Sequence, residues 1–287
     1  MRHPRSTLPV GLALLGALAA WAVAATPAVA EGAAVTATAV TEPTHASLDA
    51  AFAAGACKAL PALTDLGGPI SRTARRLIAG QPVTILTIGS SSTAGAGASV
   101  PDFAYPARLA RELRQRFPRA AIAVTNGGVN GEETPRMVER LRQTLATQAP
   151  DLVIWQLGTN TVLRDHDVAA TTAPLREGLA MIRRAGTDAI LVDLQFAPAV
   201  NAKAGTPAML SLLDHVAKGD HVALFRRFAV MGDWHQRQGL PFARFMTPDG
   251  VHMNDWGYAC FARLLADGIA EATARTQALA TAHPPGP

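Results

Sequence analysis

The sequence predicts an α/β fold in which helices cover both faces of a parallel sheet. Short apolar runs rich in β-branched residues alternate with longer amphipathic stretches, and apolar runs without polar alternation are typical of strands buried on both faces. The length of 287 residues suits one such domain, a three-layer α/β/α sandwich. The five predicted strands are Val83–Ile88, Ala121–Thr125, Leu152–Gln156, Ala189–Leu194 and His221–Phe225.

The amphipathic stretches between and after these strands predict six helices, at about 104–117, 134–147, 171–185, 207–218, 227–238 and 254–275. In an open sheet of parallel strands, ligands bind at the carboxyl ends of the strands. The residues that directly follow each strand are therefore the place to look for a functional site.

The first thirty residues have the pattern of a secretory signal peptide. Arg2 and Arg5 form a basic start, Leu8–Ala25 is an apolar run, and Ala28–Ala30 is a small-residue cleavage site. We expect residues 1–30 to be removed, which predicts a periplasmic or secreted protein. The alternative is an uncleaved membrane anchor, which a proline and several glycines in the apolar run disfavour.

The remaining chain divides by composition into three parts. Residues 31–46 are rich in Ala, Thr and Val and predict a flexible linker. Residues 47–275 hold the alternating pattern and form the predicted domain. Residues 276–287 end in His-Pro-Pro-Gly-Pro and predict a disordered tail.

The charge pattern excludes one class of partner. The formal net charge is +4, and removal of the two leader arginines leaves +2. No basic stripe is interleaved with aromatic residues, so nucleic-acid binding is not expected. No stretch beyond the leader is long and apolar enough to span a bilayer, so stable membrane insertion is not expected after signal cleavage.

The chain has two cysteines, Cys57 and Cys260, whose spacing fits no metal site. Two lone thiols in an exported protein often pair, because the compartment is oxidising. We therefore expect a disulfide that ties the N-terminal arm to the last helix. Two buried free thiols are the alternative.

A turn of small residues, Gly89–Gly97, follows the first strand. Ser91 lies in this turn, close to backbone N–H groups that a new helical turn leaves free to bind an oxyanion. Phosphate-loop, dinucleotide-binding and Gly-x-Ser-x-Gly patterns do not fit: no Gly-Lys-Ser/Thr follows, Val100 replaces the third glycine, and Thr93 replaces the last one. Taken alone, the turn also fits a plain loop with a capping serine.

The next two strands are followed by further candidates. Asn126–Glu132 contains three glycines, which indicate special backbone conformations or a close approach by another group. Asn160 follows the third strand, where its amide could point into the crevice. A plain loop and a capping asparagine are the respective alternatives.

Asp249 and His252 precede the last helix on a tight turn. A carboxylate three residues from an imidazole can accept from one ring nitrogen and leave the other free to take a proton from a serine. Taken alone, Pro-Asp-Gly is also a common turn. Together, however, the four segments supply a nucleophile, a base with its acid, and oxyanion donors, the groups that acyl transfer needs.

These four segments resemble the sequence blocks of the SGNH (GDSL-type) esterases and lipases, in order and across about residues 83–270. The resemblance implies a flavodoxin-like SGNH hydrolase fold with a five-stranded parallel sheet, over the catalytic domain 47–275. It implies no metal and no organic cofactor. It assigns the nucleophile to Ser91, the acid/base pair to Asp249 and His252, and the oxyanion hole to the N–H groups of Ser91 and Gly131 and the amide of Asn160.

Two positions depart from the family pattern. Ser90 stands where the family usually has Asp, which leaves Ser90 and Ser92 as alternative nucleophiles. Met253 stands where the family often has Pro.

The expected function is hydrolysis of a carboxylic ester by an exported enzyme, through an acyl-enzyme on Ser91. The substrate class is an acetylated carbohydrate or a short acyl or lipid ester. Two alternatives remain: an O-acyltransferase of an exported pathway, which uses the same triad, and a non-catalytic binding module on this fold. The loops Ala96–Phe103, Leu163–Val168 and Gln195–Ala204 are the candidate walls of the substrate pocket.

Overall fold

The computed structural model describes residues 57–282. The predicted signal peptide and linker lie outside the described residues. The strands are β1 Val83–Gly89, β2 Ile122–Gly128, β3 Leu152–Gln156, β4 Asp188–Val192 and β5 Ala223–Phe225. They are parallel and form one sheet in the order β2-β1-β3-β4-β5. The predicted fold class is confirmed.

Helices connect the strands and cover the sheet. Short 3₁₀ turns lie at Pro101–Phe103, Ala169–Thr171 and Phe242–Arg244, and a π-helical turn lies at Asp233–Arg237. The α-helices are α1 Pro61–Thr64, α2 Ser71–Ile78, α3 Ser91–Ala94, α4 Tyr105–Arg116, α5 Thr134–Thr147, α6 Thr159–Leu163, α7 Thr172–Arg184, α8 Pro198–Asn201, α9 Thr206–Gly219, α10 Arg227–Gly232 and α11 Asp255–Ala282.

The helices form two layers, one on each face of the sheet. Helix α11 packs on α2 and α4 on one face, and α5 packs on α7 on the other. The central strand β3 is buried along its whole length, as its apolar run Leu152–Trp155 predicts. Within residues 57–282, no helix combines the length and apolar character that crossing a membrane would need.

The strand order opens a crevice between β1 and β3. The chain leaves β1 through α4 to reach β2 on one side, and then crosses back through α5 to β3 on the other side. Where the connections leave in opposite directions, the loops at the carboxyl ends diverge and leave room for a ligand. Ser91 follows β1 and Asn160 follows β3, so the topology brings both to this crevice.

The last helix is longer than the sequence predicts. A disordered tail was expected from residue 276, but α11 continues to Ala282, and residues 283–287 lie outside the described part. The Ala-rich sequence favours helix up to the prolines. An Arg275–Glu271 ion pair and a bond from the Thr276 hydroxyl to the Ala272 carbonyl accompany this extension.

The N-terminal arm is fastened to the last helix and to the π-helical turn that follows α10. Cys57 and Cys260 are joined in a disulfide, with their Cα atoms 5.2 Å apart. The Lys58 carbonyl accepts from Trp234 Nε1 at 3.1 Å and from Gln238 Nε2 at 2.9 Å. The first described residues are thus held by one covalent bond and two hydrogen bonds.

Candidate active site

Ser91 is the first residue of the short helix α3, directly beyond β1. Its side chain is partly exposed, whereas Ser90 and Ser92 are buried. Ser91 Oγ lies 2.9 Å from His252 Nε2. Of the three consecutive serines, Ser91 is therefore the one whose hydroxyl faces an imidazole.

Asp249 and His252 complete a relay with Ser91. His252 Nδ1 lies 2.6 Å from Asp249 Oδ2. Asp249 Oδ1 also accepts from Thr247 Oγ at 2.6 Å and from the N–H groups of Val251 and His252 at 2.9 Å each. A carboxylate bound to Nδ1–H fixes the tautomer in which Nε2 carries the lone pair.

The electrostatics keep Asp249 ionised. Partial burial would raise the pKa of this carboxyl, but the hydrogen bonds from Thr247, His252 and Val251 outweigh it and hold the pKa well below its usual range. Hydrogen bonds that favour the charged form act in this direction. The side chain is therefore available as an acceptor for the imidazole across the whole neutral range.

The turn that carries His252 packs against the loop that follows Ser91. A Cβ added to Gly97 would collide with the Met253 carbonyl, so only glycine allows this approach. The same loop is fastened to α11 at two points: the Tyr258 hydroxyl donates to the Ala96 carbonyl at 2.6 Å, and Ser99 Oγ donates to Asp255 at 2.7 Å. One of the three predicted wall segments is thus firmly anchored beside the relay.

The glycine-rich end of β2 lies beside the turn that carries Ser91. The Val129 N–H donates to the Gly89 carbonyl at 3.0 Å. A Cβ on Gly128 would collide with the backbone of α3, which explains the glycine. Asn126, the first residue of this block, accepts from the Gly128 N–H at 2.9 Å and so shapes the turn from within.

Asn160 meets residues 128–132, the Gly131 segment, across the crevice. Asn160 Nδ2 donates to the Glu132 carbonyl at 2.9 Å, which leaves its second N–H available. Among the described residues, no hydrogen bond occupies the N–H groups of Ser91 or Gly131. The three predicted oxyanion donors thus retain free N–H groups at the ends of β1, β2 and β3.

A charged cluster holds the outer side of this segment. Arg164 donates to the Gly131 carbonyl at 2.8 Å and pairs with Glu133, which also contacts His166 Nδ1 at 3.1 Å. The pKa of Glu133 is lowered, because the bonds from Arg164 and His166 outweigh its partial burial.

Within residues 57–282, no group of three or more His, Cys, Asp or Glu side chains is arranged to hold a metal ion.

Gln156, the last residue of β3, is a site residue that sequence reasoning missed. Its Oε1 accepts from the Ser90 N–H at 3.0 Å, from Ser90 Oγ at 3.1 Å and from Thr93 Oγ1 at 3.2 Å. The Ser90 side chain, where the resemblance expects Asp, thus points inward and supports the turn. The available signal was one polar residue that ends an otherwise apolar strand.

Two curated proteins are similar to part of the chain. An arylesterase of Vibrio mimicus is 27% identical over 114 residues, which is 40% of this chain and 56% of the relative. The chain thus spans little more than half the length of that protein. A thioesterase 1/protease 1/lysophospholipase L1 of Escherichia coli (strain K12) is 26% identical over 171 residues, 60% of this chain and 76% of the relative.

A solved structure confirms the fold. A two-domain esterase active on acetylated mannans, crystallised with mannopentaose, superposes with a TM-score of 0.61 at 20% identity, over 76% of this chain and 58% of that one. At this identity the likeness concerns the fold alone.

The sequence model of the Non-GDSL lipase-like family matches residues 56–275, which include every strand of the sheet and all five predicted site residues. The resemblance to SGNH-type esterases is thereby confirmed at the level of the family. The chain belongs to the Non-GDSL lipase-like family.

Proposed function

We propose that this protein is an exported serine esterase that hydrolyses a carboxylic ester through an acyl-enzyme on Ser91. The observation that carries the proposal is the relay of Ser91 Oγ, His252 and Asp249, with separations of 2.9 and 2.6 Å. These are hydrogen-bond distances between a nucleophile, its base and the group that orients the base. The family and its esterase relatives support the same reaction class.

The reaction proceeds by double displacement. His252 Nε2 takes the proton of Ser91 as Oγ attacks the ester carbonyl, and Asp249 stabilises the imidazolium. His252 then protonates the leaving alkoxide, and the acyl group remains on Ser91. Water, deprotonated by His252, attacks the acyl-enzyme. His252 then returns the proton to Ser91 Oγ as the carboxylic acid leaves, which restores both residues.

The oxyanion of each tetrahedral intermediate is bound by the N–H groups of Ser91 and Gly131 and by the Asn160 amide. Each of these groups retains an N–H that is not used within the described chain. Donors held in place before the reaction stabilise developing charge without reorganising. Arg164 and the Asn126 side chain support the Gly131 segment by their bonds to its backbone.

The proposed substrates are acetylated carbohydrates or short acyl or lipid esters outside the cytoplasm. The two curated relatives are named as an arylesterase and a thioesterase, and the structural neighbour is described as active on acetylated mannans. The leader-like pattern of residues 1–30 and the Cys57–Cys260 disulfide support export, because disulfides persist in oxidising compartments.

The proposal is tested with the purified protein, nitrophenyl esters of increasing acyl length and a panel of acetylated oligosaccharides. We expect turnover of short esters, and covalent labelling by a fluorophosphonate that is lost in Ser91→Ala. Ser92→Ala is the matched control, because its hydroxyl is buried one residue away, and this variant should still be labelled.

The outcomes separate the alternatives. Hydrolysis and labelling that persist in Ser91→Ala would contradict the nucleophile assignment. If the wild type neither turns over any ester nor reacts with the phosphonate, the fold serves as a binding module. If a labelled acyl group appears on a sugar acceptor faster than in water, the protein is an acyltransferase, since exclusion of water is what separates the two reactions.

A further inference from the structure

Gln195 is a buried polar side chain that lies between the two halves of the site. It follows β4 and is 1% exposed, although the sequence indicated only that this segment borders the pocket. Its amide has three hydrogen-bond partners. Oε1 accepts from Thr159 Oγ1 at 2.9 Å and from Arg227 Nη2 at 2.8 Å, and Nε2 donates to the Val251 carbonyl at 3.1 Å.

One partner belongs to the turn that carries the base. The Val251 carbonyl and the His252 N–H are the two ends of one planar peptide unit. That N–H donates to Asp249 Oδ1 at 2.9 Å. Gln195 therefore fixes the plane of a peptide bond whose other end binds the carboxylate that orients the imidazole.

Another partner belongs to the oxyanion side. Thr159 directly precedes Asn160 at the start of α6, and its hydroxyl is committed to Gln195. One amide thus links the helical turn that presents Asn160 to the turn that presents His252. The two segments are about 90 residues apart in the sequence: the first follows β3, and the second precedes α11.

Arg227 holds the Gln195 amide in this orientation. It is completely buried, and its Nε and Nη2 donate to the Asp193 carbonyl at 3.1 and 2.8 Å while Nη2 also donates to Gln195. A guanidinium has donors and no acceptor, so it can face only the oxygen of the amide. The NH₂ end is thereby directed to Val251.

We infer that Gln195 is a positioning residue, which holds the Asp249–His252 turn in the geometry that serves proton transfer at Ser91. The inference rests on the proposed function. Small displacements of a base from its proton are costly, of order a hundredfold per ångström in unfavourable cases. Loss of the Gln195 bonds should therefore impair the step that depends most on His252.

That step can be isolated by the choice of leaving group. A nitrophenolate leaves without a proton, whereas an alkoxide must be protonated by His252 as it departs. Displacement of His252 should therefore lower kcat for an ethyl ester more than for a nitrophenyl ester of the same acid. A general loss of folded protein would lower both equally.

The experiment compares Gln195→Leu with the wild type on this pair of esters, with KM measured separately. We expect kcat for the ethyl ester to fall about tenfold further than kcat for the nitrophenyl ester, with little change in either KM. Thr187→Val is the control, because it removes a buried hydrogen bond to the Pro150 carbonyl at the amino ends of β3 and β4, away from the site. This variant should change kcat for the ethyl ester and kcat for the nitrophenyl ester by the same factor.

Gln195→Glu tests the hydrogen bond to the Val251 carbonyl alone. A carboxylate keeps both acceptor bonds, to Thr159 and Arg227, but has no N–H for the Val251 carbonyl. It should show the same dependence on the leaving group even if Gln195→Leu does not fold. Equal losses on the two esters in both variants, or the same discrimination in Thr187→Val, would overturn the inference.

A second readout does not require turnover. The proton shared by His252 Nδ1 and Asp249 should give a downfield NMR signal in the wild type and in Thr187→Val, and this signal should shift or broaden in the Gln195 variants. An unchanged signal in both Gln195 variants would overturn the inference. If the wild type hydrolyses no ester but the NMR signal still changes in the Gln195 variants, only the proposed function is overturned.

Discussion

Asn160 shows how single residues build this site. It lies in the first turn of α6, beyond β3, where one N–H of its amide is used to hold the Glu132 carbonyl. The same side chain therefore fixes the Gly131 segment and has a second N–H for an oxyanion. Its structural role and its proposed oxyanion role can be separated by measuring stability and kcat together.

Replacement of Asn160 by alanine should lower kcat by about 10²–10³-fold, the usual cost of losing one oxyanion donor. KM should change little, because the donor binds charge that develops only in the transition state. The measurement is steady-state kinetics on a short nitrophenyl ester, with a thermal melt to establish that the variant is folded. A kcat within threefold of the wild type would contradict the oxyanion role.

The residues that the sequence could predict are those with a spacing rule. Ser91, Asp249 and His252 follow from a turn after a strand and from an Asp-x-x-His pattern, and the structure brings them together. Gln156 and Gln195 could not be predicted, because each is one polar residue whose partners come from distant segments. Only the packing of the sheet edge shows that their amides are buried and bonded.

At the scale of elements, the start of α10 depends on one buried carboxylate. Asp193 follows β4, and its Oδ1 accepts from the Phe228 N–H at 2.9 Å, in the first turn of the helix. Burial raises the pKa of Asp193 to about 7, although Phe228 and the nearby Arg227 act against this shift. Burial disfavours the charged form of a carboxyl group.

This shift predicts a stability that depends on pH. The folded-state pKa is above the ordinary value of 3.8, so the contribution of Asp193 is full below pH 4 and is lost as the pH rises through 7. We expect Asp193→Asn, which keeps the acceptor for Phe228 but cannot ionise, to reduce the fall in Tm between pH 5 and 8. Asp167→Asn, on an exposed loop, should retain the wild-type slope; identical slopes in all three proteins would contradict the prediction.

Element boundaries were predictable where apolar periodicity is strong. The predicted helix 134–147 coincides with α5, and the predicted strand Leu152–Gln156 coincides with β3. The region 227–238 instead divides into α10 and a π-helical turn, and α11 extends beyond 275 to Ala282. Periodicity in a sequence records which face is apolar, whereas the ends and the local winding of a helix depend on tertiary contacts.

At the scale of the whole molecule, the disulfide joins the N-terminal arm to one of the two helix layers. Cys260 is completely buried in α11, the helix that packs on α2 and α4. A cross-link restricts the unfolded chain, and the restriction grows with the length of the closed loop. Here the two cysteines are 203 positions apart.

Replacement of both Cys57 and Cys260 by alanine should lower the free energy of unfolding by about 2–4 kcal/mol. The measurement is urea denaturation under oxidising and reducing conditions. Reductant should destabilise the wild type by a similar amount and leave the double variant unaffected. If reductant does not change the free energy of unfolding of the wild type, and both cysteines of the unfolded protein titrate as free thiols without reductant, the cross-link is contradicted.

The same bond makes one covalent ring of most of the chain. Ser91 and Asn160 lie in the half of this ring before the charged segment at 164–167, and Asp249 and His252 lie in the half after it. A protease that cut the exposed backbone there would separate the proposed nucleophile from its proposed base along the chain, yet the two fragments would stay bound through Cys57 and Cys260. The relay thus has a second connection between its halves, independent of the peptide that joins them.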